Sequence, residues 1–112
     1  MTVSAINTFR LRHGVTTADF ERFSVELDRP VCLGFEVVLG FEVYLADKAD
    51  GFEVLEVMTV ASWPEWEKVR DGAPELKPVV ERFDQLVEPG SVTTVFARHS
   101  PLPQEIQHDP FN

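Results

Sequence analysis

Glu56 is the first candidate for chemistry in this chain. It lies in the run Val54-Leu55-Glu56-Val57-Met58-Thr59-Val60. Such a run reads as a strand, in which every second side chain shares a face. Glu56 therefore shares its face with Val54, Met58 and Val60. If that face is covered by helices, the carboxyl is desolvated, its pKa rises, and it can take or give a proton near neutrality. If the face is wet, the same carboxylate is solvated or paired with an arginine. Both readings stand at this point. Asn7 has the parity of Phe9 and Leu11, so on a helix-covered face it would orient a substrate carbonyl or amine; the plain alternative is an asparagine that satisfies local backbone. Asp28, just before Arg29-Pro30, either caps a turn or supplies a second proton-transfer group.

An aromatic-lined cavity around these groups is expected to draw its walls from Phe9, Phe20, Phe41, Tyr44, Met58 and Trp66. Trp63 and Trp66 offer flat faces to a planar ligand, although aromatic residues on helices mostly fill cores, and Tyr44 offers a hydroxyl at a hairpin end. His13, His99 and His108 lie far apart without ligand-like spacing, and Cys32 is the sole cysteine, so an internal disulfide and a multi-cysteine zinc site are excluded. There is no glycine-rich phosphate loop, Gly-x-Ser-x-Gly or Cys/His pair at telling spacing. Neither a metal nor an organic cofactor is expected. Ten basic against nineteen acidic residues give a net charge of −9, which opposes nucleic acid and anionic membranes. No apolar run reaches bilayer length and residues 1–9 do not read as a signal peptide, so a cytoplasmic protein without a membrane partner is expected.

The elements that must position these groups follow in order. In residues 3–12, Val3, Ala5, Asn7, Phe9 and Leu11 alternate with Ser4, Ile6, Thr8, Arg10 and Arg12, a first strand ended by His13-Gly14. Thr16 with Asp19 three residues on starts a helix with a Phe20, Phe23, Leu27 stripe, and Asp28-Arg29-Pro30 is expected to stop it. Residues 35–45 and 52–60 form a hairpin closed by Asp47, Lys48, Asp50 and Gly51. Strict alternation in its first arm puts Phe35, Val37, Leu39, Phe41 and Val43 on one side and Glu36, Val38, Glu42 and Tyr44 on the other. Ser62-Trp63-Pro64-Glu65 opens a second helix to Asp71-Gly72, and a further helical piece carries Leu76, Val79, Val80, Phe83 and Leu86, with Pro78 in its first turn. After the Glu88-Pro89-Gly90 turn, Val92, Thr94 and Phe96 alternate with Thr93, Val95 and Ala97 in a last strand. Arg10 and Arg12 are expected to pair with carboxylates.

The order strand, helix, strand, strand, helix, strand predicts an α+β protein of ferredoxin-like βαββαβ type, with a four-stranded antiparallel sheet and its helices on one face. Residues 1–99 make that domain and residues 100–112 a proline-containing tail. Leu55 and Val57 make the second sheet face apolar as well, so a homodimer packed sheet to sheet, a dimeric α+β barrel, is expected.

Leu11-Arg12-His13-Gly14-Val15, Phe20-Glu21 with Phe23, Asp28-Arg29-Pro30, and the stretch 52–59 with its glutamates three apart resemble the RedY-like proteins of the dimeric α+β barrel group. The resemblance spans most of residues 9–98 and departs at Arg10 and His13, where the family pattern has asparagine and proline. It implies a small cofactor-independent enzyme of natural-product biosynthesis, a cyclase that controls cyclisation or coupling of an indole- or pyrrole-derived intermediate, bisindoles included. The ligand would be a hydrophobic aromatic small molecule. The wider group also holds cofactor-free monooxygenases and haem-degrading enzymes, and haem would want a proximal histidine on the second helix where this chain has Lys77. A non-catalytic carrier using the same cavity is the remaining alternative.

Overall fold

The computed structural model describes residues 2–46 and 51–103. Its elements run β1 (Val3–Phe9), α1 (Thr17–Phe23), a π turn (Ser24–Asp28), α2 (Arg29–Leu33), β2 (Val38–Leu45), β3 (Val54–Val60), α3 (Trp63–Gly72), a 3₁₀ turn (Pro74–Leu76), α4 (Lys77–Leu86) and β4 (Thr93–Ala97). The strands form one sheet in the order β2-β3-β1-β4, with each neighbouring pair antiparallel. This is the ferredoxin-like arrangement. The expected turn residues Asp47, Lys48 and Asp50 lie outside the described residues; Gly51, at φ 91°, takes the left-handed conformation that a side chain would resist. Of the expected tail, residues 100–103 carry no regular structure and 104–112 lie outside the described residues.

The sheet and helices meet in one apolar core. Phe9, Val54, Met58 and Val60 face Phe20, Phe23, Trp66, Leu76, Val79 and Leu86. Thr16 caps α1 as its spacing requires: its hydroxyl accepts from the Asp19 amide at 3.1 Å and the Asp19 carboxylate accepts from the Thr16 amide at 3.0 Å. Ser62 likewise caps α3, accepting from the Glu65 amide, and Pro78 lies in the first turn of α4.

Two local expectations fail, each for a physical reason. The first helix does not stop at Asp28-Arg29-Pro30; it continues unbroken to Leu33 through the π turn. There the Arg29 amide bonds the Ser24 carbonyl, five residues back. This wider turn brings in an extra residue and leaves Pro30 in the first turn of α2, where the missing amide of a proline is harmless. Arg29 is helical at φ −66°, ψ −44°, against the usual bias of a residue before proline. Packing overrides the local preference.

The second failure is in β2. Its pairing runs Val38 to Val60 but then Gly40 to Thr59 and Phe41 to Met58, so the strand bulges between Val38 and Gly40. The extra residue resets the face parity. Val38 and Phe41 both turn toward the helices, whereas Leu39, expected beside Phe41, is 57% exposed. Glu42 and Tyr44 remain on the opposite face, opposite Val57 and Leu55. That outer face also carries Ile6 and Val95, paired across β1 and β4. No helix of the described residues is long and apolar enough to cross a membrane.

Phe20 is the centre of the core, fully buried and edge-on to Phe9 at 5.3 Å and Phe23 at 5.6 Å. Phe20→Ala is expected to cost about 3–5 kcal/mol, the usual range for an aromatic truncated in a packed core. Urea unfolding should show it as a lower midpoint, with a loss under 1 kcal/mol counting against this placement.

Candidate active site

Three of the four strands, β3, β1 and β4, each contribute one side chain to a row across the helix-facing side of the sheet. Asn7 on β1 stands directly between Glu56 on β3 and Thr94 on β4. Above this row, α3 brings Trp63, Trp66 and Arg70, and α4 brings Val79, Val80 and Phe83. A cavity of about 420 Å³ remains between them, with Asp28 and Cys32 along one wall and Phe96 along another. Its lining is mostly apolar and aromatic, with a few converging polar groups, which is the usual make-up of a small-molecule site.

Glu56 is 5% exposed, and its Oε2 is buried without a hydrogen-bond partner among the described residues. Burial pushes its pKa up to about 8, the negative charge of Asp28 adds to the rise, and Arg29 opposes it. Asp28 is equally buried, and burial raises its pKa to about 6, against the Cys32 thiol, which donates to Oδ1 at 3.4 Å, and the Arg29 charge. Burial first, and then the Asp28 charge, push the Cys32 thiol strongly upward, so it stays a thiol and a poor nucleophile. The Asp28 charge is felt at Glu56, and Glu56 is the carboxyl that keeps its proton at neutral pH.

The structure brings together six of the nine residues singled out from sequence. Glu56, Asn7, Asp28, Phe41, Met58 and Trp66 all line the cavity. Phe9 and Phe20 do not: at 1% and 0% exposure they are packed behind it, because a ring at the centre of the α1–sheet contact has apolar neighbours on every side. Tyr44 is not there either. Its even spacing from Glu42 puts it on the outer face, 54% exposed, with its hydroxyl 3.5 Å from Glu42.

Thr94, Phe96, Arg70 and Cys32 line the cavity without having been singled out for it. Thr94 and Phe96 share a parity that is visible in sequence, but only the pairing of β4 with β1 places them beside Asn7. Arg70 lies over the Trp63 ring at 5.9 Å and pairs with Asp71 at 3.1 Å. Arg10 pairs with Glu88 at 2.7 Å on the exposed surface, whereas Arg12 donates to the Asp84 carbonyl at 2.9 Å. Glu53 has a structural task, accepting from the Leu11 amide at 2.9 Å. Among the described residues no three His, Cys, Asp or Glu side chains converge as metal ligands would.

The structure of HapK from Hahella chejuensis superposes with a TM-score of 0.74 at 20% identity, covering 90% of this chain and 95% of that one. SnoaB, a cofactor-independent oxygenase from Streptomyces nogalater, superposes with a TM-score of 0.72 at 13% identity, covering 92% and 98%. A dimeric ferredoxin-like protein of unknown function from Thermobifida fusca gives 0.67 at 13% identity, covering 87% and 90%. At these identities the likeness is one of fold. No curated protein matches the chain in sequence. The sequence model of the family described as REDY-like protein HapK, however, matches residues 3–99, nearly the whole described domain, and the chain belongs to that family.

Proposed function

We propose that this protein is a small cofactor-independent enzyme that steers cyclisation or coupling of an indole- or pyrrole-derived intermediate by holding it in the cavity and moving one proton through Glu56. The observation that carries the reading is the buried Glu56 carboxyl, with Oε2 unpartnered beside an aromatic-walled cavity and a pKa raised to about 8. At neutral pH this group is a carboxylic acid able to protonate an enamine-like carbon; once ionised, it is a base strong enough to accept a proton from an activated C–H or N–H. Trp63, Trp66 and Phe96 offer faces and edges to a flat ring, and burial, reinforced by the Asp28 charge, holds Glu56 in the protonated state. Membership of the REDY-like HapK family supports the natural-product setting.

A second reading has one observation in its favour, the likeness in fold to a cofactor-independent oxygenase. In it Glu56 would deprotonate the substrate and the resulting carbanion would react with dioxygen. Oxygen uptake during turnover separates the two readings: stoichiometric uptake selects the oxygenase, and its absence selects proton-guided cyclisation. In a carrier, neither substitution of Glu56 nor removal of oxygen would matter.

We further propose that the outer sheet face, with Ile6, Leu55, Val57 and Val95, packs against a second copy of the chain. A sheet apolar on both sides needs a second cover, and fold neighbours of this protein are dimeric. Val57→Asp would bury an unpaired charge at the centre of that face. Sedimentation should then fall from twice the chain mass to 12.7 kDa. A wild-type monomer at micromolar concentration would defeat the proposal.

Glu56→Gln keeps the volume of the side chain and removes the exchangeable acid, so turnover of bisindole or dipyrrole precursors should fall by ~10²–10⁴. Glu81→Gln, exposed on α4, is the control and should be silent. Equal rates for the two variants would remove Glu56 from the chemistry.

The same carboxyl makes stability depend on pH. The folded-state pKa of Glu56 lies above its ordinary value of 4.5, so the native state binds the proton more tightly than the unfolded chain. Its contribution is complete below about 4.5 and is lost as pH rises through about 8; Asp28 acts in the same direction between 3.8 and about 6. The Tm of Glu56→Gln minus that of wild type should therefore rise steadily from pH 5 to pH 9, by roughly 4 °C for each kcal/mol. A difference independent of pH would show that Glu56 is solvated.

A further inference from the structure

The row Thr94–Asn7–Glu56 contains one bond whose direction sets what the site can recognise. The Thr94 hydroxyl donates to the Asn7 Oδ1 at 2.6 Å. That separation fits an O–H···O bond and is short for N–H···O, so the oxygen of the amide faces Thr94. The oxygen of Asn7 is thereby occupied. Its Nδ2 donors, which make no hydrogen bond among the described residues, belong to the same cavity as the unpartnered Oε2 of Glu56 on the adjacent strand. An amide without this anchor would be free to present oxygen or nitrogen to the ligand; an anchored one presents only donors.

We infer that Thr94 is a positioning residue that locks the Asn7 amide with its nitrogen toward the ligand, so that the site selects aromatic substrates carrying a carbonyl or enolate oxygen next to the atom that Glu56 protonates or deprotonates. This rests on the proposed function and narrows its substrate class. The pairing is chemically coherent. A proton removed beside a carbonyl leaves charge on that oxygen, and its return to the enolate passes through the same partly charged transition state, so a fixed N–H donor at the oxygen lowers the barrier in either direction. The polarity also ranks ligands: a ring that offers only N–H groups finds no acceptor at Asn7 and binds more weakly than one that brings an oxygen to it.

The test compares 2-oxindole with indole, two bicyclic rings of similar size that differ in the carbonyl, by calorimetric titration of the intact protein. Wild type should prefer 2-oxindole on the order of tenfold, the worth of a hydrogen bond in a partly enclosed site. Thr94→Val, which keeps the shape and removes the hydroxyl, should abolish the preference while leaving indole affinity and Tm unchanged; Thr94→Ser should restore it. A purely structural Thr94 would lower Tm and weaken both ligands alike. Failure of wild type to prefer 2-oxindole, including failure to bind either ligand, or a preference that survives in Thr94→Val, would overturn the inference. The acid–base reading fails separately: unimpaired turnover by Glu56→Gln with the Thr94-dependent preference intact would remove proton transfer and leave the recognition role supported.

Discussion

The structure depends on one constraint above the others: the face parity of β3, which puts a carboxyl among Val54, Met58 and Val60. A strand has two faces, and the helices cover the one that carries Val54, Met58 and Val60. Glu56 is carried with them. The cost of burying it is limited because the group keeps its proton, so what enters the core is a neutral acid rather than a charge. Much of what surrounds it follows from this. The cavity is where the helices do not close over the acid, and the polar groups that reach it come from neighbouring strands at the same level, Asn7 and Thr94.

The π turn in the first helix serves the same corner of the molecule. A regular helix through Asp28-Arg29-Pro30 would have to place a proline where a backbone amide is wanted. Widening the helix by one residue removes that conflict, and it also brings Asp28 into the cavity wall, where its charge reinforces the protonated state of Glu56. Widened turns of this kind recur at functional sites. Here the local irregularity and the perturbed carboxyl pair lie in one place, and a proline with no obvious merit for helix formation acquires a structural setting. The bulge in β2 has a comparable effect: by resetting parity it lets Val38 close one end of the core and Phe41 form part of the cavity wall.

Family membership and geometry bear on function at different levels. The match to the REDY-like HapK family covers residues 3–99 and fixes descent, and the fold likenesses fix architecture. Neither specifies a reaction. The proposed chemistry comes instead from the side chains: a protonated buried acid, an oriented amide and flat aromatic walls suit guiding a reactive planar molecule and moving a proton.

Element order, the ferredoxin-like class, the caps at Thr16 and Ser62 and the parity that Glu56 shares with Val54, Met58 and Val60 were all determined by the sequence, because each rests on local spacing: period two in strands, helical spacing in helices, and fixed offsets in caps; that the helices cover this face of β3 was not. The likeness to RedY-like proteins was also legible in short motifs. What the tertiary structure alone decided involves either a register shift or a partner distant in the chain. The bulge at Leu39 inverted a parity that alternation had assigned, and packing carried a helix through Pro30 against the local preference. Phe9 and Phe20 could be recognised as inward-facing, but whether an inward ring meets a cavity or another ring depends on how closely the helices approach. Tyr44 was misplaced for a simpler reason, since its parity with Glu42 already assigned it to the outer face. Thr94 shows the limit most clearly. Nothing within its own strand marks it, and its meaning comes from Asn7, 87 residues away in the chain and 2.6 Å away in space.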